Sequence, residues 1–104
     1  MGRPKNDWYR YIQRTLKMYP NKLHRKDTIQ SVIAEVGIRR ALEETSKLPD
    51  GKDRVLFIKL YYIMGTHTLE GAAYAVHISE RTAVRWSKAF IMCCAKHMGF
   101  LPTE

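Results

Sequence analysis

Glu80, Arg81, Val84, Arg85 and Lys88 alternate one- and three-residue steps, the spacing that gathers side chains on one face of a helix. Together they offer two guanidinium forks, an ammonium, a carboxylate and an aliphatic surface. That set suits the major groove of double-stranded DNA. A bidentate arginine on guanine is the commonest specific pairing, a glutamate can accept from cytosine, and lysine neutralises backbone phosphate. Arg81 and Arg85 are the residues expected to meet bases or phosphates, and Lys88 the backbone. Glu80 accepts from a base or merely complements a helix N-terminus. Thr82 and the hydroxyls of Thr68 and Ser79 complete the expected DNA-binding set, since a capped helix start can turn its N–H groups toward phosphate. The plain alternative is two core helices with a coincidental cap.

Other chemistry finds less footing. No glycine-rich phosphate loop, nucleophile elbow or zincin motif is present, so no enzymatic activity and no cofactor is expected. Asp50 and Asp53 beside a turn read most simply as helix caps. Cys93 and His97 lie one helical turn apart, with Cys94 or His77 as further donors. Cys94 faces away from Cys93, four ligands are hard to assemble, and no metal is expected. The two adjacent cysteines suit a reducing compartment and a helix interface.

The stretch 66–90 would position this face. Thr68 caps a short helix with Leu69, Ala72, Ala73 and Val76 on its inner side, the two alanines small enough for a close crossing. His77 and Ile78 make the turn, with His77 where glycine is usual and therefore at positive φ. Ile78 plugs the corner and Ser79 caps the second helix. Val84 or Ala83, with Trp86, closes it onto the first. In such a helix-turn-helix the second helix, over 79–90, enters the major groove.

The rest of the chain agrees. Its 104 residues make one domain, with 18 Lys and Arg against 10 acidic residues, a net charge of +8 and a pI near 9.7. Such an excess is the usual footprint of a polyanion partner. Residues 1–26, a basic arm and helix, carry +7, residues 27–53 carry −2 and residues 54–104 carry +3. The first third should therefore supply phosphate contacts. No apolar run is long enough to span a membrane and no signal peptide is visible, so a cytoplasmic or nucleoid location and no membrane partner are expected. Gly2-Arg3-Pro4-Lys5 resembles a minor-groove arm, though a single short copy reads first as a plain terminus.

Asn6 or Asp7 caps a first helix, with Trp8, Tyr11, Ile12, Thr15, Leu16 and Tyr19 as its core stripe and Pro20 as its stop. A polar linker over 21–26 follows. Asp27 and Gln30 form a capping box for a helix whose apolar face passes from Ile29, Val32, Ile33 and Val36 to Ile38, Ala41, Leu42 and Thr45. That shift predicts a break or kink at Gly37. Two apolar faces on one helix either bridge packing layers or form a homodimer seam. Leu48-Pro49-Asp50-Gly51 is a turn. A helix over about 52–64 carries Val55, Leu56, Leu60, Tyr61 and Ile63 and stops at a left-handed Gly65. Only one of Tyr61 and Tyr62 can point inward. The last helix continues through Ile91, Cys94, Ala95 and Met98 to Gly99, before Phe100-Leu101-Pro102.

The pieces Leu48-Pro49, Arg54-Val55-Leu56, Gly65, Leu69-Glu70-Gly71-Ala72-Ala73 and Ile78-Ser79 resemble the fourth region of bacterial sigma factors. The run Ile78-Ser79-Glu80-Arg81-Thr82-Ala83-Val84-Arg85-Trp86 is similar to the recognition helix of RinA/ArpU-type phage late transcriptional regulators. The resemblance covers about half the chain. It implies a sequence-specific DNA-binding regulator of phage or prophage operons, with RNA polymerase as a further partner. The expected architecture is an all-α domain of four to five helices with a sigma-region-4-like helix-turn-helix. Two other functions fit the same helices. A phage small terminase subunit would form a ring, and a protein-interaction module would bind RNA polymerase without touching DNA.

Overall fold

The computed structural model describes residues 5–19 and 29–100, with the side chains of all of these except 5–7, 30 and 31. Met1 to Pro4 of the basic arm, the Pro20 stop, the 21–26 linker, the capping box of Asp27 with the Gln30 side chain, and Leu101-Pro102 lie outside the described residues. The fold is all-α, with five helices: α1 Lys5–Met18, α2 Ile29–Ser46, α3 Gly51–Ile58 prolonged by a π-helical turn Lys59–Ile63, α4 Leu69–Ala75 and α5 Glu80–Met98. α5 is the central element, since α1, α2, α3 and α4 all pack on it.

Each helix is docked by its apolar stripe. In α1, Ile12, Thr15 and Leu16 are buried, with Trp8, Tyr11 and Tyr19 packed around the edge of the core. The helix is already formed at Lys5, so Asn6 and Asp7 stand inside it and do not start it. α2 runs unbroken through Gly37, against the expected kink. Glycine is needed there for proximity: a Cβ would lie 2.6 Å from Cγ of Met98. The two apolar faces of α2 fare differently. Ala34, Ile38, Ala41 and Thr45 are buried, whereas Ile29 is 80% exposed and Val32 and Ile33 are also exposed among the described residues.

The turn before α3 is as tight as its sequence suggests. Asp50 takes φ 62°, and a Cβ on Gly51 would collide with the Ser46 carbonyl, so α3 starts at Gly51. Phe57, Ile58 and Tyr62 form its buried side, while Leu56 points outward, a correction to the expected apolar set. The Met64 N–H donates to the Lys59 carbonyl at 2.7 Å, the five-residue hydrogen bond of a π turn. Tyr62 is the inward tyrosine. Its hydroxyl lies 2.8 Å from the Ser87 hydroxyl and receives a 3.3 Å bond from Gln13, satisfying a polar group inside the core. Tyr61 stays at the edge, stacked on Phe57 with ring centroids 5.8 Å apart. Gly65 at φ 65° ends the segment as expected.

Candidate nucleic-acid interface

α4 and α5 form a helix-turn-helix whose corner is built from local hydrogen bonds. The Gly71 N–H donates to the Thr68 hydroxyl at 3.0 Å, and the Thr82 N–H to the Ser79 hydroxyl at 3.1 Å, so both expected caps are in place. Each replaces a partner that the first turn of a helix lacks. At the end of α4 the Ile78 N–H reaches back to the Ala73 carbonyl at 3.0 Å and the His77 N–H to the Tyr74 carbonyl at 3.1 Å. This pair of bonds is a Schellman closure, which requires a left-handed residue at its centre. His77 takes that conformation, at φ 62°. The end of α5 closes in the same way through the N–H groups of Gly99 and Phe100, with Gly99 at φ 88°.

Packing resolves the choice left open between Val84 and Ala83. Ala83 is fully buried together with Ala72, next to a nearly buried Ala73, while Val84 is 39% exposed. Three alanines let α4 and α5 approach closely, and Val84 is released to the outer face. Trp86 is buried edge-on to Phe57, their centroids 6.4 Å apart. Ile78 is half-buried at the corner against the core.

The outer face of α5 then carries Glu80, Arg81, Val84, Arg85 and Lys88, all exposed. At about 100° per residue they span an arc of about 140°. That is wide enough to present several side chains to one groove while Ala83, Trp86, Ser87 and Phe90 hold the opposite side. Ser79 is exposed at the head of this arc and Thr82 is half-buried beside it. The structure thus brings together seven of the expected site residues on one helix start. Thr68 stands at the start of the neighbouring helix α4.

The charge is not uniformly positive. Glu70 and Glu80 occupy the first turns of the two helices and share a hydrogen bond, which raises the Glu80 carboxyl above its ordinary range, with repulsion from Glu70 adding to it. Next to this face, Asp50, Asp53, Arg54, His77, Thr82 and Arg85 line a shallow groove. Arg54 lies at this corner too, though it is not among the expected DNA-binding residues. Its guanidinium lies 5.0 Å from the Trp86 ring centre, a cation–π contact that ties α3 to α5. Only the α3–α5 packing reveals it.

The far end of α5 holds a second cluster of polar side chains. Cys93 and His97 stand one turn apart as expected, and the third donor is Glu44 from α2 rather than Cys94 or His77. Cys94 is fully buried in the core and His77 forms the turn. Among the described residues no helix is long and apolar enough to cross a membrane. Comparison of the chain with protein-family models, with curated proteins and with solved structures finds no significant match.

Proposed function

We propose that this protein binds duplex DNA by laying the N-terminal half of α5 in the major groove, and that it acts as a sequence-specific transcriptional regulator of the phage or prophage type. The observation that carries this reading is the exposed arc of Glu80, Arg81, Val84, Arg85 and Lys88, held on a doubly capped helix-turn-helix. Arg81 and Arg85 are the base or phosphate readers. Lys88, two turns from the helix start, meets the backbone. Glu80 restrains affinity for phosphate in general and favours a cytosine amino group where one is presented. The net charge of +8, most of it carried by residues 1–26, supports a sequence-independent attraction to the DNA backbone.

The test is binding to labelled random duplex DNA across a salt series, with an Arg81→Ala/Arg85→Ala variant alongside. Affinity should fall steeply with salt, with a log–log slope of about −0.9 per phosphate neutralised. Each arginine that reads a base should cost about 1–3 kcal/mol when removed. A folded protein that fails to bind at low salt, or a double variant that binds like the parent, would overturn the proposal.

A further inference from the structure

At the end of α5 remote from the proposed interface, three side chains of different chemistry converge. The Cys93 Sγ, a His97 ring nitrogen and a Glu44 carboxylate oxygen all lie within 4.8 Å of one another. They come from two elements. Cys93 and His97 are separated by one helical turn on α5, and Glu44 stands in the last turns of α2. Already the His97 Nε2 sits 2.8 Å from Glu44 Oε1.

We infer that Glu44, Cys93 and His97 form a binding site for a zinc-class divalent ion that fastens α2 to α5. The donor set selects the metal. Thiolate, imidazole and carboxylate are the three side-chain ligands zinc uses, whereas magnesium and calcium want oxygen donors and keep away from thiolate. Around a tetrahedral zinc the donors stand roughly 3.3–3.8 Å apart, given bonds of about 2.0–2.3 Å. The present spread, from 2.8 Å to at most 4.8 Å, straddles that range, so small side-chain rotations reach it with both helices in place.

The surroundings fit the same assignment. The other oxygen of Glu44 is held by the Lys96 ammonium at 3.3 Å, which leaves Oε1 turned toward His97. Lys96 thereby orients the carboxylate as an outer partner and need not leave when an ion enters. A shallow depression lined by Arg40, Glu43, Glu44, Lys47 and His97 opens to solvent on the Glu44 and His97 side of the cluster, while Cys93 lines a neighbouring cavity that also touches Glu44. Three protein ligands and an open position define a site that holds one ion per chain. Because α2 and α5 share it, the bound ion stabilises the folded state over the unfolded one.

The experiment uses the full chain, reduced with a non-chelating phosphine and titrated with Co2+ and then Zn2+. One Co2+ per chain should bind with tetrahedral visible bands and a thiolate charge-transfer band in the near ultraviolet. Zn2+ should abolish both and raise the melting temperature. Cys93→Ser should remove the charge-transfer band. Glu44→Gln, a surface change that leaves the core untouched, should weaken binding by more than the roughly 10–100-fold typical of losing an outer partner. Cys94→Ala should keep the band, since that thiol lies in the core. An octahedral spectrum without thiolate character in the parent protein would overturn the assignment. So would undiminished affinity in either Cys93→Ser or Glu44→Gln.

Discussion

The two halves of α5 use one helix for opposite purposes. Its first half, from Ser79 to Lys88, buries one side against α3 and α4 and turns an open, mostly cationic arc to solvent. Its second half, from Ala89 to Met98, buries Phe90, Ile91, Cys94 and Ala95 in the core, and its charged side chains are engaged within the molecule: Lys96 and His97 both meet Glu44. In the first half the charged groups face solvent, and in the second Lys96 and His97 pair with Glu44. A helix surface stays open to solvent where the fold leaves it uncovered, and its polar groups are engaged internally where a second helix crosses it.

Substitutions can pull the two halves apart. Trp86 sits at their junction, buried against Phe57 and under Arg54, so Trp86→Ala should cost about 3–5 kcal/mol in a denaturant titration and weaken both behaviours together. A loss confined to DNA binding would show that the halves do not share a core. Ser79→Ala acts on the first half alone. It should cost about 1 kcal/mol through the lost bond to Thr82 and reduce DNA affinity, while leaving any Co2+ spectrum unchanged.

The corner offers a change of opposite sign. His77 holds φ 62°, which glycine adopts without strain, so His77→Gly should stabilise the fold by about 0.5–1 kcal/mol. A lower melting temperature in that variant would mean that the imidazole makes a contact worth more than the backbone strain. The smallest effect concerns pH. Glu80, raised by its hydrogen bond and repulsion with Glu70, favours folding below the ordinary carboxylate range and loses that contribution as pH rises through its raised value. Between about pH 4 and about pH 7 the parent should therefore lose melting temperature relative to Glu70→Gln. Parallel curves would show that the carboxyl pair has no thermodynamic weight.

Much of the first half is legible in the chain itself. Thr68 and Ser79 each bond a backbone N–H three residues on, and His77 closes a turn by bonds spanning three and five residues. Such contacts depend only on nearby spacing, and so does the exposed arc, whose members recur with the helical period. Gly37 shows where spacing misleads. A shift of apolar face there resembles a kink, yet the helix is continuous and the glycine makes room for Met98 on another element. The first apolar face of α2 suited either a second packing layer or a homodimer seam, and within the single chain Ile29, Val32 and Ile33 are exposed.

The amino-acid order by itself determined the helical character of the chain, the Thr68 and Ser79 caps and the side chains displayed on the first turns of α5, because each follows from interactions within one or two helical turns. Tertiary structure alone decided that Ala83 rather than Val84 meets α4, that Tyr62 rather than Tyr61 enters the core, and that Arg54 lies over Trp86. It also chose Glu44 as the companion of Cys93 and His97. His97 and Glu44 stand 53 residues apart in the chain, and no local period encodes a meeting that exists only when α2 docks on α5.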